Sequence, residues 1–293
     1  MISSYFILFF SLFAWPMTPP KPYGPFHLCL TAAGSFIAWK LARSLARRTV
    51  SRPGTNLAVS CTAADSRFAK KPARPGCTPL PAAAKAPRRL LFHCGLLLFF
   101  LEAFKQGFLF FIENKLRFSW WYFPFQLCSV PMYLCLLLPF VRTERTFGVL
   151  CSFLQDFSLL GGIMALAVPP GLMHPYVVMT LHGFVWHFIL LFIGIYCAAL
   201  PPACTSLRLL WREYARTLPI LFFCSALALL INIFAGPEAD MFYISPYFPS
   251  SQPIFHNLSL ALGIIPGIFL YVLAMAAAGF LVHIAAARLR AKS

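Results

Sequence analysis

The chain has 293 residues, of which 60% are hydrophobic and only 11% charged, and its mean hydropathy is +0.75. Soluble domains carry roughly 25% charged residues, so the composition excludes an ordinary soluble protein and predicts an all-α, polytopic bundle of transmembrane helices. The net charge of +16 does not indicate nucleic-acid binding, because the basic residues lie between and after the apolar runs, where they set membrane topology.

Residues 1–23 form a short apolar N-terminal segment. Its apolar part, residues 2–15, is shorter than a standard membrane span and runs into four prolines, which predicts an interfacial or re-entrant piece. A short eighth span is the alternative. Seven later runs are long enough to cross about 30 Å of hydrocarbon. They lie at residues 24–42, 90–112, 124–141, 147–168, 176–200, 217–236 and 256–283.

The remaining segments set the predicted orientation. Residues 43–89 are basic, rich in Pro and Ala and without hydrophobic periodicity, which predicts a disordered cytoplasmic loop between the first helix and a six-helix core at 90–285. With the basic tail at 286–293, the predicted inner side holds 20 of the 24 Lys and Arg residues. The positive-inside rule therefore predicts an outer N-terminus and an inner C-terminus.

The ten cysteines are scattered, and none has a spacing typical of zinc ligands or of a disulfide framework. We therefore expect no metal site and no cofactor.

Two polar residues within the spans form a candidate catalytic pair. Counted from the outer starts of their spans, Cys128 and His182 lie at similar depths, about 6 Å and about 9 Å below the surface. An imidazole can take the proton of a thiol, and a thiolate attacks acyl carbons, so the pair suits acyl transfer from a lipid ester near the headgroups. Core packing for the cysteine and an interhelical hydrogen bond for the histidine are the alternatives.

Other polar side chains fall into two predicted groups. His27, Gln126 and Asn232 lie on the same outer side and are candidates for substrate or oxyanion support. The second group has structural roles. In it, Glu102 and Lys105 are three residues apart and suited to an ion pair, and His187 is expected to hydrogen-bond Asp156.

Several segments resemble the YwaF-like integral membrane proteins. WYFPFQLCSVPMYL at 121–134 resembles the family signature in which a Pro-Leu or Pro-Phe pair precedes His or Gln and then Leu-Cys. YGPFHL at 23–28 is similar to its first-span histidine segment, and GGIMALAVPP at 161–170 to its Gly-Ala-rich span. TLHGFVWH at 180–187 is similar to its histidine-bearing fifth span.

The resemblance continues with Asn232 and with ADMFYISP at 239–246, where Asp240 stands in place of an expected Asn. It covers nearly the whole chain except residues 43–89, which look like an insertion. It implies a six- or seven-helix membrane fold, and the family's commonest setting implies a bacterial cytoplasmic membrane.

Animal relatives of that family include a membrane acyltransferase that places polyunsaturated chains on ether phospholipids through a cysteine with a histidine. The matching positions here are Cys128 and His182, with His187 as the alternative histidine. The resemblance therefore implies membrane lipids as partners, with a phospholipid as acyl donor or acceptor.

The sequence thus favours a multi-pass membrane protein with lipid acyltransferase or acyl-hydrolase chemistry. A small-solute transporter or channel is the first alternative, in which Glu102, Lys105 and Asp156 line a water-filled path. A non-catalytic membrane scaffold is the second, in which every polar residue serves packing.

Overall fold

The computed structural model describes residues 2–50, 82–200 and 206–291, and this part of the chain is helical. In chain order its α-helices are α1 (Ile2–Ser11), α2 (Pro25–Val50), α3 (Ala82–Phe108), α4 (Val130–Leu137), α5 (Glu144–Phe153), α6 (Leu159–Ala167), α7 (Val177–Ala198), α8 (Leu207–Ala215), α9 (Leu218–Ala235), α10 (Pro253–Leu262) and α11 (Ile264–Ala291). A π-helical turn at Leu109–Glu113 prolongs α3, and another at Leu154–Ser158 joins α5 to α6.

Five helical stretches of the described residues are long and apolar enough to cross a membrane, which confirms the predicted class of fold. They are Lys85–Glu113, Glu144–Ala167, Val177–Ala198, Leu207–Glu238 and Ile264–Arg290. The total number of spans and the orientation stay predictions.

The predicted third span differs most from the structure. Instead of one helix over 124–141, a loop leads into α4, and α4 with the short 3-10 turn after it covers only Val130–Phe140. At 1.5 Å per residue that stretch is about 16 Å long, half of what a span needs. Pro131 lies in the first turn of α4, and its ring prevents the helix from continuing backwards through the preceding turn.

The predicted seventh span is also interrupted. Gly263 adopts a φ of +95°, outside the helical region, and separates α10 from α11. A Cβ added at Gly267 would lie 2.3 Å from the Ser259 hydroxyl oxygen, so the two helices pack closely against each other there. A hydropathy pattern shows both helices as one apolar run, because the break changes the backbone and not the polarity.

In the structure, helices extend into both ends of the segment 43–89 that was predicted to be a loop. α2 continues to Val50 and α3 begins at Ala82, because these flanks are rich in Ala, Leu, Lys and Arg, which are good helix formers. Their charges mask this propensity in a hydropathy profile. The central part of the predicted loop, residues 51–81, lies outside the described residues. At the other end of the chain, α11 extends through much of the predicted tail to Ala291.

α7 lies at the centre of the bundle and packs against α2, α3, α6 and the second π turn. The N-terminal helix α1 is peripheral: Phe10 packs against Phe108, Leu109 and Met179 at the ends of α3 and α7. With 10 residues it is about 15 Å long and cannot span the hydrocarbon by itself.

Candidate functional site

Cys128 lies two residues before α4, in a turn closed by the Ser129 amide, which donates to the Gln126 carbonyl over 2.8 Å. The positive end of a helix dipole favours a thiolate at such a position. The Lys105 ammonium is also within electrostatic range of the thiol. The largely enclosed position opposes ionisation, so chemistry at this thiol needs a base that takes its proton.

His182 on α7 is connected to Cys128 through Trp186. The Trp186 indole N–H donates to the Cys128 carbonyl over 3.2 Å, and the His182 ring stacks on Trp186 with 5.9 Å between centroids. His182 Nε2 lies 3.1 Å from the Leu101 carbonyl oxygen. A carbonyl only accepts, so Nε2 carries the proton, and the lone pair of Nδ1 is left to act as a base.

His187 has a different partner from the one predicted. Its Nδ1 donates to the Gly183 carbonyl of its own helix over 2.6 Å, whereas Asp156 pairs with His283. The sequence reasoning missed this pairing because His283 is 127 residues away from Asp156 along the chain. His187 is nonetheless close enough to His182 and to Lys105 for their charges to interact.

Glu102 and Lys105 form an ion pair of 2.8 Å on α3. Gln106, one turn further, donates both to the Glu102 carboxylate over 2.8 Å and to the Tyr122 carbonyl over 2.6 Å. The pair is therefore fixed to the loop that precedes Cys128. The Lys105 ammonium is within electrostatic range of Cys128 and of both histidines of α7. Its positive charge therefore acts on all three residues.

Gln126 and Asn232 hold the loop that follows α9 from two sides. The Gln126 amide donates to the Asp240 carbonyl over 2.7 Å and accepts from the Phe242 amide over 2.8 Å. The Asn232 amide donates to the Met241 carbonyl over 3.0 Å and accepts from the Met241 amide over 2.7 Å. Both side chains were predicted to support substrate or oxyanion, and in the structure their hydrogen-bonding groups are bound to this loop.

The loop held in this way is strained. Phe242 and Tyr243 have φ values of 57° and 58°, in the left-handed region that residues other than glycine rarely adopt. Such conformations cost of order 1–3 kcal/mol each and persist where surrounding contacts enforce them, often at functional sites. Here the buried Asn232 side chain and the half-buried Gln126 side chain supply those contacts.

The strained turn places Tyr243 within electrostatic range of Cys128. Burial raises the pKa of Tyr243 to about 12, with Cys128 and Asp240 adding to the effect, so its hydroxyl stays protonated and is a hydrogen-bond donor at neutral pH. Tyr243 is not among the site residues that the sequence predicts, and its signal there is its place in the ADMFYISP segment.

Asp240, at the start of the strained turn, is 1% exposed. Its carboxylate accepts from the Ser245 amide over 3.1 Å and from the Ser251 hydroxyl over 3.2 Å. Burial nevertheless raises the pKa of Asp240 to about 6, since these two hydrogen bonds only partly offset the loss of hydration.

His27 lies apart from this group. Its Nε2 donates to the Leu166 carbonyl near the end of α6 over 2.9 Å, and the neighbouring Tyr23 hydroxyl donates to the Ala167 carbonyl over 3.1 Å. The residue of α6 that lies beside Cys128 is Gly161. It is five residues before Leu166, a distance of about 7 Å along the helix. These contacts attach α2 to α6 and do not bring His27 to Cys128.

Asp156 belongs to a second polar cluster, on the predicted inner side. Both of its carboxylate oxygens lie 3.0 Å from His283 Nδ1, and His283 Nε2 lies 3.9 Å from the Glu213 carboxylate. Gln155 joins Asp156 to Arg290 through hydrogen bonds of 2.8 and 3.0 Å. The cluster connects the second π turn with α8 and α11.

In the three described ranges, no group of three or more His, Cys, Asp or Glu side chains is arranged to hold an ion.

The apolar helices and their enclosed polar groups define the class of this molecule, a multi-pass membrane protein. The chain belongs to the TMEM164 family, whose family model matches residues 23–285. Comparisons with curated proteins and with solved structures gave no significant match. The resemblance found in the sequence is thereby confirmed at the level of a transmembrane family, while the YwaF name and the relationship to an acyltransferase stay predictions.

Proposed function

We propose that the protein is a phospholipid acyltransferase or acyl hydrolase, with Cys128 as nucleophile and His182 as base. The observation that carries the proposal is that Trp186 stacks on the His182 ring and donates to the backbone carbonyl of Cys128, with Lys105 within electrostatic range of both residues. The proposed setting is a bacterial cytoplasmic membrane, with the site near the outer leaflet.

In the first half-reaction the Cys128 sulfur forms a bond to the ester carbonyl carbon, and His182 Nδ1 takes the thiol proton. The tetrahedral intermediate then breaks the bond to the lysolipid oxygen, which receives that proton from His182. The result is a thioester on Cys128. Attack by the hydroxyl of an acceptor lysolipid, or by water, repeats the steps in reverse and frees the thiol.

The Tyr243 hydroxyl is the proposed hydrogen-bond donor to the oxyanion of the intermediate. The Tyr243 side chain is enclosed, and the turn that carries it is held by hydrogen bonds. The hydroxyl therefore needs little reorganisation when charge develops on the carbonyl oxygen. Gln126 and Asn232 act as positioning residues, since they hold the turn from which Tyr243 extends.

Reconstituted Cys128→Ser protein should lose transfer of a labelled acyl chain between phospholipids and should carry no hydroxylamine-sensitive acyl group. Cys29→Ser, at an exposed cysteine, is the matched control and should keep both properties. Tyr243→Phe should lower the rate of thioester formation by on the order of 10²–10³-fold. If Cys128→Ala protein remodels labelled phospholipids as fast as the wild type, the result contradicts the proposal.

Proton-coupled transport is the second candidate, and the cluster of Asp156, His283 and Glu213 favours it. Ionisable groups buried within spanning segments often relay protons. This function requires access to the cluster from both sides of the membrane, whereas the enzyme requires access to Cys128 from one side. Labelling of cysteines introduced beside each cluster, with reagents added to either side, distinguishes the two.

A further inference from the structure

Four buried cysteines on four different helices come together in the core of the bundle. They belong to one packed cluster and are at most 9% exposed: Cys94 on α3, Cys135 on α4, Cys151 on α5 and Cys197 on α7. The proposed reaction uses none of them. Among the described residues no such group is arranged to hold a metal ion, so the chemistry open to this cluster is that of thiols with each other.

Two of the four thiols are in direct contact. The Cys197 thiol is hydrogen-bonded to the Cys151 sulfur, and Cys135 is within electrostatic range of both. The other two helices also approach each other closely, since a Cβ added at Gly95, next to Cys94, would lie 2.9 Å from the Cys135 Cβ. A disulfide needs its two sulfurs about 2.05 Å apart, and thiols in hydrogen-bonding contact need only a small movement to reach that distance.

Both contacting cysteines lie at helix ends, where the backbone departs from regular α-helical geometry. Cys151 is in the last turn of α5, where the Leu154 amide donates to two carbonyls, one of them that of Cys151. Cys197 is in the last turn of α7, and the Ala199 amide that closes this turn is shared between two carbonyls over 3.1 Å each. Helix ends fray more readily than helix interiors, so the two Cα atoms can adjust to the spacing that a disulfide requires.

The cluster lies toward the predicted inner side of the membrane. Each of its four cysteines is three to six residues from the inner end of its predicted span. Thiols that face the cytosol are kept reduced, and the disulfides found there are usually transient or redox-sensing. The free thiols of the structure are therefore the expected resting state, and a disulfide is expected only under oxidation.

We infer that Cys151 and Cys197 form a reversible disulfide when a peroxide oxidises the protein, and that this bond links α5 to α7. The inference goes beyond the proposed function, because neither residue takes part in acyl transfer. α7 carries His182, and α5 leads through the second π turn into α6, which lies beside Cys128. The bond therefore fixes the relative position of two elements that border the proposed site.

Hydrogen peroxide, a small uncharged molecule, is the oxidant of the proposed step. Cys151 reacts first, because it is 8% exposed and Cys197 only 1%. Its sulfur bonds to one peroxide oxygen as the O–O bond breaks, and the departing hydroxide takes the thiol proton, which leaves a sulfenic acid and one water. The Cys197 sulfur then bonds to the Cys151 sulfur, and the second hydroxide leaves with the Cys197 proton as water. The two thiols together lose two electrons, and the peroxide is reduced to two waters.

The test is peptide mass spectrometry of the purified full-length protein after treatment with hydrogen peroxide, denaturation and alkylation with N-ethylmaleimide. The wild type should yield a pair of peptides joined through Cys151 and Cys197, and dithiothreitol added before alkylation should remove it. Cys151→Ser should raise the alkylation of Cys197 after peroxide by on the order of tenfold, because the sulfenic acid that Cys197 attacks cannot form. The wild-type measurement decides the question even where a variant folds poorly.

Cys224→Ser on α9 is the matched control, because Cys224 is also buried but belongs to a different packed cluster. This variant should form the disulfide as the wild type does, and in the wild type Cys224 should stay a free thiol. A bridge from Cys151 or Cys197 to any other cysteine would overturn the inference. So would equal alkylation of Cys197 in oxidised wild type and in oxidised Cys151→Ser.

A second measurement tests the link between the helices. The oxidised wild type should have a higher Tm in detergent than the reduced protein, because a cross-link between α5 and α7 restricts the unfolded chain. Cys151→Ser should show no such rise, and a wild-type Tm that does not respond to peroxide would contradict the link. Cys128→Ser should form the bridge as the wild type does, so the outcome is independent of the catalytic proposal.

Discussion

Asp240 illustrates how one enclosed carboxyl can make the fold depend on pH. Its pKa rises from 3.8 to about 6 because burial favours the neutral form. The stability that this neutral form contributes is fully present below about pH 4 and is lost as the pH rises through about 6. The shift corresponds to roughly 3 kcal/mol between the two limits.

Asp240→Asn should remove this pH dependence, because an amide stays neutral and its oxygen can still accept from the Ser245 amide. We expect the Tm of the variant in detergent to exceed that of the wild type above pH 6 and to match it near pH 4. Ser251→Ala, which removes one donor and keeps the carboxyl, is the control and should still show the decline with pH. Parallel melting profiles for wild type and Asp240→Asn would contradict the assignment.

At the scale of elements, α4 is a half-length helix held at both ends. Pro131 sets its start, and the buried Arg88 side chain donates to the Leu138 and Val141 carbonyls after its end. Along its side α4 packs against α3, where Gly95 permits a close approach. A Cβ added at Gly95 would lie 2.9 Å from the Leu136 backbone nitrogen.

Gly95→Ala should therefore destabilise the protein by roughly 1–3 kcal/mol, because backbone atoms cannot rotate away as a side chain would. Since α4 supports the turn that holds Cys128, acyl transfer should fall as well. Gly148→Ala on α5 is the control. Nothing lies within 4 Å of its added Cβ, and the gain in helix propensity should leave stability equal or slightly higher. Equal melting temperatures for the two variants would contradict the packing argument.

At the scale of the whole molecule, the predicted orientation places the two polar groups on opposite sides. In that orientation the residues around Cys128 are predicted to lie on the side with few basic residues, and the Asp156 cluster toward the basic side.

The orientation can be tested in intact cells with a membrane-impermeant maleimide. In a Cys29→Ser background, Lys115→Cys should be labelled from outside, and Arg208→Cys only after the membrane is opened, because basic residues stay on the inner side. Both positions are exposed, so differences in labelling report sidedness. External labelling of Arg208→Cys but not of Lys115→Cys would reverse the orientation and move the proposed site to the inner leaflet.

Much of this architecture was predictable from local composition. The apolar runs at 176–200 and 217–236 predict α7 and α9 to within one or two residues, because lipid solvation demands continuous apolar helices that satisfy their own backbone groups. The breaks before Val130 and at Gly263 escaped prediction, since a proline ring or a positive φ changes the backbone without changing hydropathy.

The sequence by itself determined that the chain is a multi-pass helical membrane protein, whereas the similar depth of Cys128 and His182 stays a prediction, counted for Cys128 along a helix that in the structure begins only at Val130. Only the tertiary structure decided which polar groups meet. It joined Asp156 to His283 instead of His187, engaged Gln126 and Asn232 with the strained turn, and brought Tyr243 toward Cys128. The physical reason is that the hydropathy of each segment marks the apolar helices one at a time, whereas contact depends on how helices far apart in sequence rotate and pack.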